Sequence, residues 1–165
     1  MHRSVTKVLF VSKENAARSL LAEACLRHLG KANFRAYSCG IPALSNGQPK
    51  SWTLLTLQTA GMSIDGLRCK GWTEFVRSGA PKMDFVISLD EDAENQHPLW
   101  LGQPETAVWA YPPLEQPKRS GMDVALATLQ TLHSLRRRIE LLICLHSKAA
   151  KRSDLRHDIR DMAHL

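Results

Sequence analysis

Residues 5–31 read VTKVLFVSKENAARSLLAEACLRHLGK, and their reading decides the fold. Val8-Leu9-Phe10-Val11 is a short apolar run rich in β-branched and aromatic residues, the composition of a buried strand. From Ser19 the period changes. Leu20, Leu21, Ala24, Cys25 and Leu29 recur at three- and four-residue steps, which predicts a helix ending near Gly30. Only Ser12 to Arg18 separate the two. A strand entering a helix through so short a loop directs backbone N–H groups and the positive helix end at one point, the geometry of an anion site. Arg18, at the helix entrance, can add a two-pronged grip on a phosphate-like oxyanion.

Working outward, Phe34–Cys39 alternates and stops at Gly40, which predicts a second strand. The loop Ile41–Pro49 contains Asn46, Gly47 and two prolines. A helix is expected from Pro49 to Ala60, with Trp52, Leu55 and Leu57 as apolar contacts, then a short helical piece at Thr73–Arg77. Asp84–Leu89 and Thr106–Ala110 read as two further strands, separated by an acidic turn at Asp90-Glu91-Asp92. The segment Met122–Leu145 predicts a long helix whose buried stripe comprises Val124, Leu126, Leu129, Leu132, Leu135, Ile139, Leu142 and Ile143. Strands alternating with helices imply a parallel sheet covered on both faces, with ligands beyond the carboxyl ends of its strands. Ser12–Arg18 falls there.

The chain has 165 residues, 44% apolar and 23% charged, enough for one domain with a core of its own. We divide it into a domain over residues 1–147 and a charged tail over residues 148–165. In the tail, Leu155, Ile159 and Met162 have helical spacing, and both a docked amphipathic helix and disorder are open. Four scattered cysteines without a C-x-x-C pair suggest neither a disulfide framework nor a metal site. Lys13-Glu14 interrupts the only apolar run near the N-terminus, and no stretch approaches the roughly 20 apolar residues of a membrane span. A cytoplasmic, reducing location is expected. The formal charge of +6 favours anionic partners. Much of it lies in Arg136-Arg137-Arg138 and the tail, with no zinc-finger, helix-turn-helix or aromatic RNA-binding signature beside it, so nucleic acid is not the expected partner.

The spacing Ser12-x-x-Asn15-x-x-Arg18-Ser19, followed by Leu21-Ala22-Glu23-Ala24, resembles the low-molecular-weight protein tyrosine phosphatases and the related thioredoxin-coupled arsenate reductases. The resemblance covers roughly residues 4–146. It implies a three-layer α/β/α domain with a four-stranded parallel sheet and no cofactor. It also implies that Ser12 and Arg18 hold the catalytic positions, within an oxyanion loop of Lys13, Glu14, Asn15, Ala16, Ala17, Arg18 and Ser19. Asn15 then stabilises the loop, and Ser19 bonds near the nucleophile.

Several letters depart from the family pattern. Ser12 stands where the family carries its cysteine nucleophile. A serine hydroxyl needs an adjacent base, and Glu14, the local carboxylate, occupies a position usually held by glycine. Pro113 stands where the leaving-group acid is expected, with Glu115 the nearest substitute. The reductases' two relay cysteines have no counterpart in Leu89–Pro98, where Asp90 and His97 stand close to the expected places. The expectation is a pseudoenzyme that binds a phosphate-like oxyanion or a phosphorylated or acidic protein. The alternative is a weak phosphoryl hydrolase using Ser12 and Arg18. An oligomerising structural protein, paired with a second copy of itself, is a third reading. Two roles are open for Arg18: oxyanion clamp, or a structural ion pair with Glu14 or Asp90. Trp100 and Trp109 are expected in the core or the cleft wall. Cys39 and Cys69 read as buried small hydrophobes or as displaced thiols near the cleft.

Overall fold

The computed structural model describes residues 5–148 and 152–164. In chain order the strands are β1 (Thr6–Val11), β2 (Phe34–Cys39), β3 (Phe85–Ser88) and β4 (Glu105–Val108). The helices are α1 (Arg18–Gly30), α2 (Ser51–Thr59), α3 (Thr73–Val76), α4 (Glu91–Gln96), α5 (Gly121–Lys148) and α6 (Arg152–Asp161). All strand pairs are parallel, in the order β2-β1-β3-β4, with Val8 level with Ala36 on one side and Phe85 on the other. The expected four-stranded parallel sheet is present.

The alternation of β1 divides the core. Val8 and Phe10 face a large apolar layer supplied by α1, α2, α5 and α6, including Leu21, Leu57, Leu135 and Ile159. Leu9 and Val11 face a smaller layer with Phe75, Met83 and Ala93, which α3, α4 and their loops close. These are the three layers. Because every residue of β1 from Val8 to Val11 is fully buried, the strand can be displaced only at the cost of both cores, which fixes the position of the loop that follows it.

Some sequence expectations need correction. Leu126 and Leu129 are 53% and 40% exposed, not buried. The inward face of α5 carries Val124, Thr128, Thr131, Leu135, Arg138 and Leu142, which follow one another at three- and four-residue steps. Three of these are polar, so apolar letters alone misplace the stripe. Asp84, Leu89, Trp109, Ala110, Pro49, Lys50, Ala60 and Arg77 fall outside the regular elements, by one or two residues, and α5 runs past Leu145 to Lys148. The acidic turn is instead the start of α4, where the Asp90 carboxylate caps the helix by accepting the Ala93 N–H at 2.7 Å. Trp109 is fully buried, while Trp100 is half-buried and packs edge-on against Trp72. Cys39 is buried as expected; Cys69 is only half-buried.

The described part of the tail forms α6, with Ile159 and Met162 buried in the large core; the Leu155 side chain lies outside the described residues. Among the described residues, no helix is long and apolar enough to cross a membrane.

Candidate oxyanion site

The loop from Ser12 to Arg18 links the end of β1 to the start of α1 at the carboxyl edge of the sheet. Asn15 adopts a left-handed backbone (φ 53°), a conformation that asparagine tolerates better than most residues. Its side chain stabilises this turn from within. Nδ2 donates to Ser19 Oγ at 2.7 Å and to Ser38 Oγ at 2.9 Å, while Oδ1 accepts the Lys70 N–H at 3.0 Å. Ser38 donates in turn to Glu23 Oε1 at 2.6 Å. The Lys70 ammonium lies 3.6 Å from the same carboxylate, both side chains being 9% exposed. Asn15, Ser19 and Ser38 are fully buried. Polar groups this deep are stable only when each finds a partner, and here they find one another.

Gly40 brings β2 against the outside of the loop. A Cβ there would come within 3.0 Å of backbone atoms of Ser12, Lys13 and Asn15. The close approach permits the Ile41 N–H to bond Lys13 O at 3.0 Å and the Gly40 N–H to bond Lys70 O at 2.8 Å. On the other side, Lys50 N–H bonds Ala16 O at 3.0 Å. The loop is therefore pinned by three chain segments distant in sequence.

In front of the loop is a cleft of about 220 Å³, lined by residues 12–18, Lys50, Trp52 and residues 113–115. Ser12, Lys13, Glu14, Asn15, Ala16, Ala17 and Arg18 thus share the cleft, whereas Ser19 stands behind it. The hydrogen bonds found among the described residues use none of the backbone N–H groups of residues 14–18. The N–H of Lys13 is committed, donating to Asp90 Oδ2 at 2.7 Å. The same carboxylate oxygen lies 3.2 Å from Arg18 Nη2, and Arg18 Nη1 donates to the Tyr111 carbonyl at 2.8 Å. Of the two ion pairs open to Arg18, the one with Asp90 forms. Burial lowers the Arg18 pKa, with Asp90, Glu14 and Asp92 opposing the shift; a guanidinium stays charged in either case.

Both cleft lysines are paired too. Lys13 reaches Asp92 at 3.3 Å and Lys50 reaches Glu115 at 3.5 Å. Among the described residues, Glu14 has no ion-pair partner, and its exposed carboxylate stands beside the uncommitted N–H groups. Pro113 lines the cleft. His97 is turned away, bonded to Pro98 O and stacked on Trp100. Ser12 Oγ is 2.6 Å from Ser19 Oγ, in a contact where either can donate.

Neither nearby cysteine is a displaced thiolate. Burial pushes both the Cys39 and Cys69 thiols upward, which keeps them protonated near neutral pH. Among the described residues, no group of three His, Cys, Asp or Glu side chains gathers to hold a metal ion. Ser38, Gly40, Lys70 and Tyr111 shape the loop without signalling it in the sequence, whereas Glu23 stands in the quoted motif and Asp90 is an expected partner of Arg18.

Known proteins are similar to this chain in sequence and fold. The low molecular weight phosphotyrosine protein phosphatase model matches residues 7–109. A glutaredoxin arsenate reductase of Synechocystis is 30% identical over 118 residues, covering 72% of this chain and 83% of that protein. An arsenate reductase solved in a phosphate-binding state superposes with a TM-score of 0.66 at 26% identity, over 85% of this chain and 98% of that one. The tyrosine phosphatase Wzb of Escherichia coli K30, solved with sulphate, has a TM-score of 0.63 at 17% identity, over 84% and 99%. By its loop, its sheet and these matches, the chain belongs to the low molecular weight phosphotyrosine protein phosphatase family.

Proposed function

We propose that this family member is a pseudoenzyme, which holds a phosphate-like oxyanion on a partner protein without turning it over. One observation carries the reading: among the described residues, nothing engages the N–H groups of residues 14–18, and the partner found for Ser12 Oγ is the Ser19 hydroxyl. The first half of that arrangement binds an anion; the second cannot attack one. A serine nucleophile needs a base to take its proton, and a neighbouring hydroxyl is not a base at neutral pH.

The leaving group fares no better. Proline at 113 has no proton to give, and Glu115 is held in the Lys50 ion pair. The sulfur relay of an arsenate reductase has no thiol at position 12 or in residues 89–98. The solved arsenate reductase in its phosphate-binding state supports an oxyanion as the ligand class. Four free cysteines accord with a reducing, cytoplasmic location. The reading in which Ser12 is a working nucleophile is not favoured by any contact of its hydroxyl.

Turnover tests this directly. The protein should release no phosphate from a phosphotyrosine peptide, and Ser12→Cys alone should add no substantial turnover, because phenolate departure still lacks its acid. A strong burst of hydrolysis from that single variant would overturn the reading.

A further inference from the structure

Helix α6 lies along β4, the edge strand of the sheet, and reaches the loop through a series of contacts. The Ile159 carbonyl accepts from the buried Trp109 indole at 3.0 Å, and the Ala163 carbonyl is 3.5 Å from Arg138 Nη2. The Arg138 guanidinium lies 5.8 Å from the Trp109 ring and 5.0 Å from the Tyr111 ring. Tyr111 is tethered at both ends, its hydroxyl 2.8 Å from Ser134 Oγ and its N–H on the Leu89 carbonyl at 2.9 Å. Its own carbonyl is the acceptor that holds Arg18 Nη1.

Arg138 is an unusual choice for this position. It is 8% exposed, and its Nη1 finds no hydrogen-bond partner among the described residues. A leucine or methionine would fill the space without an orphan nitrogen. What the guanidinium adds is a flat cationic face against both aromatic rings. One of those rings belongs to the residue whose carbonyl orients the cleft arginine. Tyr111, Arg138 and α6 all lie beyond residues 7–109, the part matched by the family model.

We propose that Arg138 is a positioning residue for Arg18, acting through Tyr111, and that docking of α6 holds it in place. The proposal deepens the oxyanion reading by taking Arg18, held by Asp90 and the Tyr111 carbonyl, as a ligand of the anion beside the N–H groups of residues 14–18. It makes the C-terminal helix part of the site's construction, although none of its described side chains lines the cleft.

Two variants of the full chain test it, Arg138→Met and Ile159→Asp, the second on α6 and outside the cleft lining. The readouts are inorganic phosphate affinity by calorimetry and the NMR signal of the Arg18 Nε–H, with thermal midpoints recorded alongside. Each variant should weaken phosphate roughly three- to tenfold, the range for residues acting on a site at one remove, and should shift the Arg18 signal. A lower midpoint with an unmoved Arg18 signal and unchanged affinity would mean a merely structural role and would overturn the proposal. Failure of the unaltered protein to bind phosphate would refute the oxyanion reading alone, since the Arg18 signal still reports positioning. Should Arg138→Met not fold, Ile159→Asp decides, with loss of amide protection in residues 156–164 as proof that α6 has detached.

Discussion

Behind the loop, Asn15, Ser19, Ser38, Glu23 and Lys70 form a buried chain of hydrogen bonds in which each member has at least one partner. At its mouth, Lys50 and Glu115 meet at 3.5 Å in partial exposure, Pro113 offers no proton, and Glu14 has no ion-pair partner among the described residues. The first region is over-determined: removal of one partner leaves another polar group stranded in the interior. The second is solvated, and its members can be exchanged at little cost to folding. A chain can therefore keep the architecture of an anion loop while the residues that would perform chemistry at its rim are replaced. Ser12 lies on the boundary, since its hydroxyl bonds Ser19 at the back of the cleft and lacks the acidity of a thiol.

The largest effect should come from restoring the rim. Adding Pro113→Asp to Ser12→Cys should raise phosphotyrosine turnover about 100-fold or more over the single variant, the range of a positioned general acid. Phosphate-release assays of both variants check this, and equal rates would mean that the loss extends beyond the rim.

Breaking the inner region should instead cost stability. Glu23→Ala leaves the Lys70 ammonium buried without its carboxylate, and we expect a loss of about 3 kcal/mol in urea unfolding. A loss as small as that of Glu115→Ala, expected at under about 1 kcal/mol, would erase the contrast between the two regions.

Alkali should probe the same dry side. Burial raises the Cys25 thiol to about 12, above its unfolded value near 9, so the unfolded chain releases this proton first. Its contribution is intact below pH 9 and is lost as pH rises from 9 toward 12, at about 1.4 kcal/mol per unit. Urea midpoints at pH 8 and 10, with Cys25→Ala as the control, should show a smaller alkaline loss in the control.

The smallest effect belongs to Glu14. Replacing it with glycine should strengthen phosphate binding by about 1 kcal/mol, roughly fivefold, because one solvated carboxylate no longer faces the anion. Unchanged affinity in calorimetry would mean that its charge does not reach the loop N–H groups.

What the sequence conveyed follows the same division. Val8–Val11 and the helix after it declare themselves through period, and Asn15, Arg18 and Ser19 through spacing, because those signals are local. Asp90 capping both α4 and the Lys13 N–H, or Tyr111 holding Arg18, is invisible in the letters: parallel crossovers bring together residues 77 and 93 positions apart. The role of Lys70 is hidden for the same reason. Residue type misassigns Leu126 and Leu129, since Thr128, Thr131 and Arg138 take the inward face of α5, Thr128 donating to the Val124 carbonyl and Arg138 lying over the Tyr111 ring.

The most direct measurement is a calorimetric titration of phosphate and arsenate into the protein, beside an Arg18→Ala control. The account predicts saturable binding that the control loses, since the guanidinium and the N–H groups of residues 14–18 act on one anion. Absence of binding, or binding that survives in the control, would contradict it and leave the loop as scaffold.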